Sequence, residues 1–162
     1  MILQNILVES TSGDWLVKIA DFGCSKRSQT GGTELRTVGI GTLAYMAPEV
    51  YGGFRRSGQA ASYSETVDMW PIGVITYELL CHEHPFSDLA SVSSYAADTN
   101  LFPTNRLVRQ GVEDTCVNFI RGLMTPNPDE RPTSSAARQH VWLVAAASEP
   151  TAEIPDSDNE SE

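Results

Sequence analysis

No stretch of this sequence approaches the roughly eighteen consecutive apolar residues that a membrane-spanning helix requires. The apolar start, Met1 to Val8, lacks the basic residues, length and small-residue cleavage site of a secretory signal. Cysteine is scarce. Cys24, Cys81 and Cys116 are widely spaced and odd in number, which excludes a complete disulfide framework and offers no metal-ligand spacing. They read as reduced thiols of an intracellular protein. His82, His84 and His140 form no metal set by spacing either and read as structural. Positive charge is also short, with 11 Lys and Arg against 21 Asp and Glu and a formal net charge of -10. Such a chain is a poor candidate for nucleic acid or an anionic membrane, and neither is expected as a partner. No internal repeat occurs.

What is present is the composition of a folded domain. Hydrophobic residues make up 41% and charged residues 20% of 162, enough for one domain with a sizeable core. The acidity is uneven. Glu149, Glu153, Asp156, Asp158, Glu160 and Glu162 lie in the last fifteen residues, which carry no Lys or Arg. The expected organisation is a domain over 1–147 and an acidic, disordered tail over 148–162. The expected setting is a soluble intracellular protein, cytoplasmic or nuclear.

Along the chain, Ile2 to Val8 and Trp15 to Ala20 are apolar runs around a polar, Gly-containing turn, which predicts a β-hairpin. Residues 21–41 are rich in Gly, Thr and Ser and read as a long loop, a form that is usually functional or disordered. Val67 to Leu80 is apolar nearly all round a helical wheel, so a central buried helix is predicted, with Ser64 as its N-cap. Pro71 within that stretch is awkward, because a proline in a helix interior costs about 3 kcal/mol. Cys116, Phe119, Ile120, Leu123 and Met124 repeat at helical spacing and predict a helix over 113–124. Thr133 is expected to cap a short helix ending near His140 to Val144. The fold class is α+β, mainly helical with a small β-hairpin.

Several short motifs gain meaning together. Asp21-Phe22-Gly23 follows the predicted hairpin, and Ala47-Pro48-Glu49 closes the Gly/Thr-rich loop. Asn5 precedes the hairpin, Gly41-Thr42 precedes Ala47, Asp68 to Gly73 lies in the predicted central helix, and Arg131 stands in Asp129-Glu130-Arg131-Pro132. In this order the chain resembles the C-terminal lobe of a eukaryotic Ser/Thr protein kinase over about Met1 to Val144, in detail most like the calcium/calmodulin-dependent and checkpoint kinases.

The resemblance implies ATP and magnesium as cofactors. Magnesium, a hard cation, takes oxygen ligands, and the implied ones are the Asp21 carboxylate and the Asn5 amide oxygen at opposite ends of the hairpin. It also implies that Leu7 lies beneath the adenine ring and that Phe22, beside Gly23, joins a hydrophobic spine. Thr42 would support the active loop and favour Ser/Thr substrates, although Leu43 stands where the family has Pro. Glu49 and Arg131 would form a buried ion pair, and Asp68 would anchor the catalytic-loop backbone. Thr37 is the preferred phosphorylation site among Thr30, Thr33 and Thr37. Ser157 with Glu160 resembles an acidophilic phosphorylation site, against the plainer reading of a solvated tail.

Other parts of the family pattern are not among these residues. The catalytic Asp of the His-Arg-Asp motif would fall before Met1, and Ile2 stands where the catalytic-loop Lys would be. The phosphate loop, the ATP-binding Lys, the N-terminal lobe and the first C-lobe helices have no counterpart. The expectation is a kinase-domain fragment that does not transfer phosphate by itself. Its central helix would expose an apolar face, to be covered by the missing N-lobe or a partner. The alternative is a pseudokinase-like scaffold that uses 43–105 to bind a protein partner rather than a protein substrate, which Ile2 and Pro71 favour slightly. A non-functional fragment is the third reading.

Overall fold

The computed structural model describes residues 3–11, 14–21, 43–50 and 65–148. Two strands come first. β1 (Ile6–Thr11) and β2 (Asp14–Ile19) pair antiparallel, with Ile6 opposite Ile19 and Thr11 opposite Asp14. Their β-branched residues suit a pleated surface. Leu3–Asn5, expected within the first strand, instead forms a 3-10 turn that leads into β1. Residues that oppose each other share a sheet face. Leu7, Lys18, Glu9 and Leu16 therefore lie on one face, and Ile6, Ile19, Val8 and Val17 on the other. Lys18 pairs with Glu9 on the first face. Leu7, Val8, Leu16, Val17 and Ile19 are 49% to 57% exposed, so both faces present apolar surface.

The remaining described elements are helical. A 3-10 turn, Glu65–Asp68, runs into α1 (Met69–Cys81), the predicted central helix. Its N-cap is Asp68, with no side-chain capping bond, and the expected cap Ser64 lies outside the described residues. Pro71 is therefore the third residue of α1. The N–H groups of the first turn have no partner within a helix, so a proline there breaks no helical bond. The interior penalty expected from the sequence does not arise.

α2 (Leu89–Ala97) begins at Asp88, whose carboxylate accepts from the Ser91 amide at 2.7 Å. α3 (Thr104–Arg109) ends just before Gly111, whose φ of 72° suits a residue without a Cβ. α4 (Asp114–Leu123) is the helix predicted over 113–124, with Glu113 and Met124 as its caps. The single short helix expected after Thr133 is two helices. α5 (Ser134–Arg138) is capped by the Thr133 hydroxyl, which accepts from the Ala136 amide at 3.2 Å. α6 (Val141–Ser148) follows after a break at Gln139 and His140.

The core lies between α1 and α4. Gly73 sets their approach, since a Cβ there would lie 2.5 Å from Met124 Cγ and 3.0 Å from Leu123 Cβ. Aromatic rings fill the space toward α2 and α3. Phe86 and Tyr95 stack at 5.1 Å, Trp70 lies 6.4 Å from Phe86, and Tyr77 meets Phe102 edge-on at 6.1 Å. Phe119 joins α4 to the region of α6 through His140 and Trp142, at 5.2 and 5.1 Å. The apolar face expected to be open on the central helix is covered. Leu79, 60% exposed, is the one exposed residue of α1, and a larger exposed apolar surface lies on the hairpin. Among the described residues, no helix is long and apolar enough to cross a membrane. The architecture is mostly helical with one two-stranded antiparallel sheet, as the sequence predicts.

Candidate functional site

The hairpin brings distant residues to one end. Antiparallel pairing places Asn5 opposite Ala20, whose amide donates to the Asn5 carbonyl at 2.8 Å. Asp21 is the next residue, exposed, with a φ of 59°. Aspartate tolerates this left-handed conformation better than most residues, because its short polar side chain can bond locally. Asn5, half-buried, and Asp21 therefore both lie at the open end of the hairpin. Leu7 stands in β1, two residues along the chain from Asn5.

These residues offer two oxygen donors, an amide and a carboxylate. Among the described residues there is no cluster of three or more His, Cys, Asp or Glu that could hold a metal ion. A pair of oxygens suits magnesium nonetheless. That ion keeps several waters and is held by one or two protein oxygens together with substrate phosphates.

A second group of residues fastens the 43–50 segment to the helices. The Arg131 guanidinium meets Glu49 in a fork, NH1 to Oε1 at 2.8 Å and NH2 to Oε2 at 3.0 Å. Bidentate geometry makes this among the stronger kinds of ion pair. The Arg131 side chain is fully buried and Glu49 is 12% exposed. The same guanidinium donates to the backbone carbonyls of Thr125, Thr66 and Pro126 and lies 5.5 Å over the Trp70 ring. The Thr66 hydroxyl in turn donates to the Pro128 carbonyl at 3.0 Å.

A third group escaped the reading of the sequence. The Tyr45 hydroxyl donates to Glu78 Oε2 at 2.6 Å, a second fastening of 43–50 to α1. His84 closes over this bond, its ring edge-on to Tyr45 at 4.7 Å and its Nε2 3.9 Å from the same oxygen. One signal could have found it: Glu78 is the one carboxylate within Met69–Cys81, and a half-buried charge on an apolar helix needs partners.

Asp68 stands exposed at the N-terminus of α1 and makes no capping bond there. Phe22, Gly23, Thr37 and Thr42 lie outside the described residues, as do Ile2, Cys24, Thr30, Thr33, Ser157 and Glu160. Cys81 and Cys116 are free and buried. Burial pushes both thiols up, Cys116 to about 11, so neither is a ready nucleophile.

Residues 3–143 match the protein kinase domain family. A probable myosin light chain kinase of Dictyostelium discoideum is 37% identical over 151 residues, covering 86% of this chain and 38% of that protein. A calcium/calmodulin-dependent protein kinase type I of Schizosaccharomyces pombe is 36% identical over 141 residues, covering 86% of this chain and 40% of that protein. The crystal structure of the Rad53 kinase domain and SCD2 in complex with AMPPNP superposes with a TM-score of 0.63 at 28% identity, over 88% of this chain and 48% of that one. The chain spans less than half the length of each of these relatives.

Proposed function

The chain belongs to the protein kinase domain family, and from that membership we propose that it is most of the C-terminal lobe of a Ser/Thr kinase domain. The parent activity is transfer of the ATP γ-phosphoryl to a protein hydroxyl. The observation that carries the reading is the open end of the hairpin, which carries both Asn5 and Asp21. Magnesium supplies charge neutralisation between the β- and γ-phosphates when bound. Asp21 and Asn5 hold it, and Leu7 offers an apolar contact for the adenine ring. A nucleotide analogue in the related Rad53 complex supports ATP as the ligand class.

The rest of the chain serves placement. Glu49 and Arg131 fix the end of the segment that carries Thr42, and Thr42 supports the active loop. Asp68, exposed at its helix end, is free to accept from a catalytic-loop backbone. Thr37 is the site at which phosphorylation orders the loop. The domain occupies 1–147, and 148–162 is an acidic tail. The 162 residues contain no His-Arg-Asp motif, phosphate loop or ATP-binding Lys. Positioning and charge stabilisation need both walls of the cleft, so the activity is assigned to the protein that carries this segment together with those parts. The scaffold reading loses one of its supports, since Pro71 is harmless where it stands.

The test is phosphorylation of a Ser/Thr peptide library by protein purified from its native source, with ATP and magnesium. Asp21→Asn removes a ligand charge and is expected to lower kcat by about 10²–10³-fold. Activity that is unchanged in that variant would sink the proposal.

A further inference from the structure

The Tyr45–Glu78–His84 group has a property that the phosphoryl-transfer reading does not use. Its three members come from three places: the 43–50 segment, α1, and the turn after α1. The Tyr45 hydroxyl and Glu78 Oε2, 2.6 Å apart, are at the usual separation of a charge-assisted O–H···O⁻ bond. His84 covers that bond with its ring, and its side chain is 24% exposed. Neither ring nitrogen has a hydrogen-bond partner among the described residues. We infer that His84 is a proton-operated latch: neutral, it seals the Tyr45–Glu78 bond against α1; protonated, it leaves its seat and loosens the 43–50 segment at Tyr45.

Donors and acceptors around the ring decide which state stays seated. Neutral imidazole carries one N–H, and imidazolium carries two plus a charge. At this seat the nearest carboxylate oxygen among the described residues is 3.9 Å away, beyond hydrogen-bond reach, and it already accepts from Tyr45. A cation with two unpaired donors in a largely buried position is penalised, and moving into water relieves it. The surrounding charges do not reverse this. Glu78 is the carboxylate that faces the ring. Arg106 from α3 donates to the His84 backbone carbonyl at 2.9 Å and lies 3.4 Å from Glu83, which occupies its charge elsewhere. Burial pushes the His84 ring below the ordinary histidine range, and the attraction of Glu78 opposes this without overcoming it.

Linkage then fixes the sign. A histidine with a lowered value in the closed state binds its proton more tightly once open. The seat's contribution is intact above the ordinary value of about 6.5 and is lost as pH falls through the lowered one. Acid therefore opens the latch, whereas a simple His–Glu ion pair would tighten in acid.

The experiment is an NMR titration of the full chain between pH 7.5 and 5, following the His84 ring and the Tyr45 ring together. His84→Gln identifies the His84 signal. The expected result is a His84 midpoint below 6.5 with Tyr45 shifting at the same midpoint, and a Tyr45 signal that no longer follows pH in His84→Gln. A His84 midpoint above 6.5 would mean that imidazolium gains Glu78 as a partner, and would overturn the inference. So would a Tyr45 signal that stays still while His84 titrates in the wild-type chain, which needs no variant. The readout involves no nucleotide, so its failure leaves the kinase reading untouched.

Discussion

All five N–H donors of Arg131 find acceptors within the fold, two on Glu49 and three on backbone carbonyls. Arg131→Met removes them together and leaves Glu49 as a buried carboxylate without its cation. Breaking one side of a buried pair costs about 3–5 kcal/mol. The urea unfolding midpoint of the full chain should fall accordingly, and a loss under about 1 kcal/mol would contradict the clamp. Arg131→Lys should recover little of it, since an ammonium offers three donors from a point and cannot form the fork. Both ends of the clamp were legible in the sequence, because Ala47-Pro48-Glu49 and the Arg131 motif are recognisable residue strings. The carbonyls of Thr66, Thr125 and Pro126 were not, since a backbone oxygen has no letter of its own. Tyr45, Glu78 and His84 were missed for a related reason. Each is unremarkable alone, and only the fold brings positions 33 residues apart into one bond.

At the scale of elements, hydrophobic spacing revealed the two helices that cross at the core, α1 and α4. It did not reveal α2 and α3. α2 is nine residues rich in Ser and Ala, and α3 is six. Helices so short draw their stability from packing rather than from a strong local signal. The division of the 133–144 region also escaped notice, because the break at Gln139 and His140 carries no proline or glycine. Two substitutions in α1 should behave oppositely to a propensity scale. Alanine exceeds glycine in an isolated helix by about 1 kcal/mol. Gly73→Ala should still destabilise by about 1–3 kcal/mol, because its methyl meets Met124 and Leu123 across the crossing. Pro71→Ala should lie within about 1 kcal/mol of the parent, because the first turn has no bond for proline to break. Thermal unfolding of the two variants side by side decides this, and a Pro71→Ala gain near 3 kcal/mol would place proline in a helix interior after all.

For the whole molecule, the motif order gave the family, and relatives of the calcium/calmodulin-dependent group bear that out. The place of the exposed apolar surface was not legible. The sequence says that α1 is apolar all round, which suggested an open face there. It does not say that α2, α3 and α4 close around that helix while the hairpin, apolar on both faces, stands half exposed. Composition counts apolar residues and cannot assign them neighbours.

The clamp between Glu49 and Arg131 joins positions 82 residues apart, whereas the α1–α4 crossing joins closer ones, Gly73 meeting Met124 at a separation of 51. Closing a flexible loop of that length costs about 4 kcal/mol in entropy, before any contact repays it. The helices should therefore associate first and the 43–50 segment dock afterwards, on the native side of the folding barrier. Glu49→Gln should then speed unfolding while leaving the refolding rate nearly unchanged, as positions unformed in the transition state do. Stopped-flow rates across a urea series give both limbs, and a refolding rate slowed by the full equilibrium loss would place the docking before the barrier. The ion pair would then act on how long the native state lasts, with little influence on how fast it forms.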